Sequence, residues 1–156
     1  MKPNIGITEK NLQATATLLH TVLADTYVLY NKTQNAHWNI ESSNFMELHK
    51  FYEGQYGALA EKIDQVAERI RMLGHFVSGR MKDIVKLSNL EQDQNSDKQE
   101  MQIQALLDDH ETIIRNLREH IGTVQDKYKD VGTADFLTGL LRDHENMAWM
   151  LRSYLK

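Results

Sequence analysis

Five side chains able to ligate a divalent cation stand at spacings that a helix makes meaningful: His37, then His49, Glu53, Asp64 and Glu68. Imidazole nitrogen with carboxylate oxygen is a hard-to-intermediate donor set that suits Fe(II), and also Zn or Mn, and leaves open positions for an oxidant. The chain has no cysteine, so thiolate ligation and disulfides are excluded and a metal must be held by His, Asp, Glu or water. With His49 at zero and ~100° per residue, Glu53 falls at about 40°, Asp64 at about 60° and Glu68 at about 100°. These four share one stripe. The apolar stripe of the same segment centres near about −70°, so the ligands flank a bundle core and do not line it.

Along the axis the four form two i, i+4 pairs. At ~1.5 Å per residue the gap from Glu53 to Asp64 is roughly 16 Å, too far for one small site. The pairs nest symmetrically: 49 and 68 share a midpoint with 53 and 64, between positions 58 and 59. Two copies of this helix crossing antiparallel about a two-fold axis there would bring His49 opposite the partner's Glu68, and Glu53 opposite the partner's Asp64. Gly57 and Ala60 lie on the stripe near that axis, where small side chains permit close approach. His37, at the end of the preceding helix, then completes one half of each of two identical sites.

The elements that must position these groups are helices. Leu12, Leu19, Val22, Leu23, Leu29 and Tyr30 recur at helical steps and predict a first amphipathic helix. After a polar break from Asn39 to Asn44, with Ser43 or Asn44 as N-cap, Leu48 to Leu73 predict a second helix ending near Gly74. Val77 to Leu87 predict a short helix inside a long crossover, followed by the polar tract Ser88 to Gln99. Ser96 and Gln99 fit a capping box for a third helix running to about Tyr128, and Leu137 to Leu155 define a fourth after Gly132 and Thr133. The expected architecture is all-α: a ferritin-like four-helix bundle with a short extra helix in the long crossover between helices 2 and 3, as a single domain over 1–156. His110 and His144 interrupt apolar stripes and read as packing residues, while His20, His75 and His120 lack ligand-spaced partners. Trp38, beside His37, reads as a packing anchor near enough to a redox site to take part in electron transfer. Larger ferritins carry Glu-x-x-His inside one subunit, and no histidine here has Glu three residues before it.

The segments Asn35-Ala36-His37-Trp38-Asn39, Asn44-Phe45-Met46-Glu47-Leu48-His49 and Asp64-Gln65-Val66-Ala67-Glu68-Arg69 closely resemble the Dps family of mini-ferritins (DNA-binding protein from starved cells). The likeness extends over nearly the whole chain, including the short crossover helix and Thr133-Ala134-Asp135. The resemblance implies a hollow homo-dodecamer that oxidises Fe(II), preferably with hydrogen peroxide, stores ferric iron inside and protects against oxidative stress. It assigns ferroxidase ligands to His37, His49 and Glu53 of one subunit and to Asp64 and Glu68 of the other. Many relatives have Asp where this chain has Glu53, which leaves direct and water-mediated ligation open at that position. The family's iron-admitting pores imply Asp135 and Asp143 as pore acids. The alternative in the family is a nucleoid-protecting shell with little ferroxidase activity.

Composition bounds the partners. The chain of 156 residues has 41% hydrophobic residues, one proline and a net charge of −4. No apolar run approaches the roughly 20 residues that cross a bilayer, so the expectation is a cytoplasmic protein without membrane contact, nucleoid association being open. Before Leu12 the only basic side chains are Lys2 and Lys10, and the tail after the last helix is almost nil, so DNA binding is expected to be weak or absent.

Overall fold

The computed structural model describes residues 2–92 and 98–155. Among them lie α1 (Glu9–Asn39), α2 (Phe45–Met72), α3 (Met81–Leu87), α4 (Gln99–Gly122) and α5 (Val131–Ser153), with a π-helical turn, Thr123–Lys127, after α4. The architecture is all-α and ferritin-like. α1 packs along α2 and α4 along α5; α1 against α4 and α2 against α5 close the bundle, and α3 lies on α1.

α2 carries the clearest pattern. Leu48, Tyr52, Leu59, Val66 and Ile70 recur at steps of four and seven, and all are fully buried. Each such side chain removed from water contributes roughly 1.5–3 kcal/mol before entropy is counted. The helix stops at Gly74, whose φ of +86° places it in the left-handed region that glycine tolerates. The amide of Gly74 donates to the Arg71 carbonyl (2.9 Å) and that of His75 to the Ile70 carbonyl (3.3 Å), a Schellman ending. Pro3 closes over this turn, where a Cβ on Gly74 would lie 2.6 Å from the proline Cδ.

Two boundaries differ from the sequence reading, those at the starts of α4 and α5. α1 ends at Asn39 with His37 in its last turn, although its apolar period fades after Tyr30. Its second half buries Thr33, Ala36 and His37, because α1 is covered by α2, α3 and α4, and polar groups on a surrounded helix blur the apolar period. The buried Asp25 is satisfied: its carboxylate accepts from the Ser88 hydroxyl (2.9 Å), the Asn89 amide (2.6 Å) and the Asn89 side chain (3.0 Å). That cluster pins the crossover, just after α3, to α1. At the start of α4, Gln99 is the first helical residue and Lys98 the N-cap, so Gln99 does not occupy the third position of a capping box. Ser96 lies outside the described residues. Gly132 and Thr133 belong to the first turn of α5; the stop signal is Asp130, whose Oδ1 accepts from the Thr133 amide at 2.9 Å as an N-cap.

Candidate metal centre

The loop between α1 and α2 is five residues long, Ile40 to Asn44, so the end of one helix and the start of the next lie side by side. This stacks the His37 and His49 rings with centroids 3.7 Å apart and planes 19° from parallel. Each ring bonds the other's backbone: His37 Nδ1 lies 2.8 Å from the His49 carbonyl oxygen, and His49 Nδ1 lies 3.0 Å from that of His37. A carbonyl only accepts, so both Nδ1 atoms carry hydrogen, and in the neutral rings both Nε2 atoms are left with the lone pair. That tautomer is the one a metal-ligating histidine requires, with the second nitrogen fixed by a carbonyl. Phe45 stacks on His49 (5.0 Å), and the Tyr56 ring stands edge-on to His37 (5.2 Å, 78°). His37 is buried and His49 half-buried, so the paired rings are clamped at the protein surface.

Glu53 sits one turn beyond His49 and completes this end of the stripe. Its carboxyl is held below the usual range, first by the hydrogen bond and charge of Lys50 and then by the two histidines. Lys50 Nζ lies 2.7 Å from Glu53 Oε2, so a cation already competes for this ligand. Asp64 and Glu68 are exposed, farther along the same helix. Among the described residues of one chain, no three His, Asp or Glu side chains converge to hold a metal. One chain carries the histidine pair with Glu53 at one end of the stripe and Asp64 with Glu68 at the other. Between them the surface is smooth: Gly57 and Ala60 are exposed, and a Cβ on Gly57 would meet nothing within 4 Å.

The two pore candidates behave differently. Asp135 is exposed near the start of α5, whereas Asp143 pairs with Lys62 of α2 at 2.6 Å. Arg69, adjacent to Glu68, reaches α5 as well, with Nη2 3.3 Å from Asp130 Oδ1 and Nε 3.0 Å from the Thr133 hydroxyl. Sequence reasoning missed Phe45, Lys50 and Tyr56. Phe45 lies four residues before His49, a spacing that marks it as a neighbour on the helix; Tyr56 carried no such signal, because its contact is with α1. Trp38 is 62% exposed, so it does not anchor the packing of this chain. His110 and His144 are fully buried packing residues, joined Nδ1 to Nδ1 at 2.9 Å.

Residues 16–156 match the Ferritin-like domain family. A DNA protection during starvation protein of Porphyromonas gingivalis is 32% identical over 149 residues, covering 96% of this chain and 93% of that protein. The chain belongs to the Dps family. A further relative, an uncharacterized low temperature-induced protein of Nostoc sp., is 42% identical over 154 residues, covering 98% of this chain and 86% of its own length. Among solved structures, the Dps protein from Vibrio cholerae O1, described as a member of a broad superfamily of ferritin-like diiron-carboxylate proteins, superposes with a TM-score of 0.92 at 29% identity, covering 99% of this chain and 97% of that one. DpsC from Streptomyces coelicolor gives 0.95 at 27% identity, covering 100% and 91%. The Dps fold thus spans the chain, and the histidine pair lies on its first helical hairpin. No helix among the described residues is long and apolar enough to cross a membrane.

Proposed function

We propose that this Dps-family protein is a ferroxidase and iron store whose sites form between two subunits of a closed homo-oligomer, a dodecamer as the resemblance implies. The reading rests on one observation above the others: His37 and His49 hold each other as Nδ1–H tautomers with both Nε2 lone pairs free, beside a carboxylate on the same stripe. Asp64 and Glu68, related to His49 and Glu53 by the antiparallel two-fold, supply the missing acids from the partner. Fe(II) is the substrate. The imidazoles bind it without charge compensation and the acids neutralise the additional charge of Fe(III), which favours the oxidised product. Two Fe(II) ions deliver two electrons to one hydrogen peroxide, which takes up two protons and leaves two waters; hydrolysed Fe(III) then passes to the store. Removing Fe(II) and peroxide together suppresses hydroxyl radical formation, so the cellular effect is protection from oxidative stress in the cytoplasm. Zn or Mn would compete for the same donors.

The test is the rate of peroxide-driven Fe(II) oxidation by the protein and by its His49→Ala/Asp64→Ala variant. A large loss in the variant is expected; equal rates would sink the site. Light scattering coupled to size exclusion checks the assembly, and a mass of one or two subunits contradicts a closed shell. Weak DNA binding follows from the net charge of −4, despite the names of the starvation-protein relatives. Salt-sensitive retention of DNA in a mobility-shift titration at physiological ionic strength would overturn that part.

A further inference from the structure

The acidic half of the proposed site is held differently from the histidine half. Among the described residues, no hydrogen bond or ion pair holds the exposed carboxylates of Asp64 and Glu68, so the direction each takes is set by the helix that carries it. The residue next to Glu68 anchors that helix. Arg69 leaves α2 about 100° round from Glu68 and reaches the first turn of α5, where Nε donates to the Thr133 hydroxyl (3.0 Å) and Nη2 lies 3.3 Å from Asp130 Oδ1. Both receivers are buried and bound to each other: the Thr133 hydroxyl donates to Asp130 Oδ2 (2.6 Å) and the Thr133 amide to Oδ1 (2.9 Å). Gly132 makes room for the guanidinium, because a Cβ there would lie 3.1 Å from Nη2. Capping of α5 accounts for the bonds between Asp130 and Thr133, but it does not require a forked cation from another helix. Two other polar links run from α2 to α5, Gln55 to the Met147 carbonyl (3.4 Å) and Lys62 to Asp143 (2.6 Å). Both precede Asp64, so Arg69 is the tether on the far side of the two acids.

We infer that Arg69, backed by Thr133 and Asp130, is the positioning residue for the acidic half-site: one subunit's Arg69 sets the aim of the two carboxylates that meet iron held by the histidines of the partner. This rests on the ferroxidase reading above. Ile70 and Leu73 bury the end of α2, but apolar contact is non-directional and fixes the depth of a helix better than its roll about its own axis. A planar guanidinium bonded at two of its nitrogens resists that roll. The carboxylates stand about 6 Å from the helix axis, so a roll of about 10° moves them by about 1 Å. Metal–ligand distances tolerate about 0.2 Å, and a ligand constellation must be held within about 0.5 Å. Loss of the tether therefore reaches the iron without removing a ligand. Its effect crosses the two-fold: the acids offered to the partner are displaced, while His37, His49 and Glu53 of the same chain stay as they are.

The experiment measures Zn affinity by calorimetry and peroxide-driven Fe(II) oxidation in the assembled protein and in Arg69→Met, Arg69→Lys and Thr133→Val. Arg69→Met is expected to weaken Zn binding and slow oxidation by about 10-fold, the usual effect of losing a group that orients a ligand. Arg69→Lys keeps a charge for Asp130 without the fork and should fall between. Thr133→Val removes only the hydroxyl and should lose part of both; it carries the same tests if Arg69→Met does not assemble. Co-assembly separates positioning from general damage. Mixed in equal amounts with His49→Ala, Arg69→Met subunits supply sound histidines and receive sound acids, so about a quarter of the sites are restored. Mixed with Asp64→Ala, they restore none. Unchanged affinity and rate in Arg69→Met and Thr133→Val overturn the inference. So does recovery with neither partner, the mark of a subunit damaged throughout, or equal recovery with both. If His49→Ala and Asp64→Ala fail to complement each other, the shared site itself fails and the positioning role with it.

Discussion

Acid should loosen this bundle through a pair of histidines that has nothing to do with iron. His110 of α4 and His144 of α5 are fully buried and share a hydrogen bond between Nδ1 atoms 2.9 Å apart. One nitrogen donates and the other accepts, so the two neutral rings are opposite tautomers. His110 Nε2 has no hydrogen-bond partner, and an unpaired lone pair costs less than an unpaired N–H. His110 therefore carries its hydrogen on Nδ1, and His144 accepts there. Protonating either ring places a charge in the core, and protonating His144 on Nδ1 also sets two donors against each other. Burial accordingly pushes His144 down to about 4, with Asp143 raising it and Lys62 lowering it by less, while burial and then His144 hold His110 well below its ordinary value.

The sign follows from proton linkage. The unfolded chain binds a proton at about 6.5 and the folded chain only near 4, so the contribution is intact above about 6.5 and is lost as pH falls through that window. For His144 alone the slope is about 1.4 kcal/mol per pH unit, or about 3 kcal/mol across the window, and His110 adds in the same direction. The assay is urea denaturation across this range for the protein and for His110→Leu/His144→Leu. Exposed carboxylates titrate alike in both, so the difference in unfolding free energy isolates the pair. That difference should shift by at least about 3 kcal/mol in the variant's favour on acidification through the window. Parallel pH profiles for the two proteins would refute the reasoning.

Lys50 competes with metal for Glu53, so Lys50→Ala should tighten Zn binding several-fold in competition calorimetry, and unchanged or weaker affinity would show that Glu53 does not ligate. Asp130→Ala removes the N-cap of α5 and the ion pair with Arg69. It should cost roughly 2–4 kcal/mol by chemical denaturation, a cap with a part-buried ion pair, against under about 0.5 kcal/mol for an exposed control such as Asp108→Ala.

How much of this was legible in the sequence depended on which faces of each helix are covered. α2 has one apolar face and one ligand face, so its period, its ends and the division of its ligands between two ends could be read directly from the spacing. α1 is enclosed by three helices, and Asp25, Thr26 and Thr33 sit within its buried surface, so its apolar period faded after Tyr30 although the helix did not. The reciprocal bonds of His37 and His49 were beyond reach of spacing because they depend on how the Ile40 to Asn44 loop brings two helix ends together. The Tyr56 contact with His37 and the anchoring of Asp143 by Lys62 are likewise contacts between helices. Asp130 was overlooked because Gly132 two residues later looked like the stop, whereas the carboxylate before the turn is what satisfies the free amides of α5.

The central claim, that each iron site takes residues from two chains, is tested most directly by complementation. His49→Ala and Asp64→Ala subunits are each expected to assemble without ferroxidase activity. Co-assembled in equal amounts, a mixed two-fold pair holds one site with both defects and one intact site, so random mixing restores about a quarter of the sites. Recovery of that share of peroxide-driven Fe(II) oxidation is the predicted result. Activity in the mixture no greater than that of the separate variants would contradict a site shared between subunits.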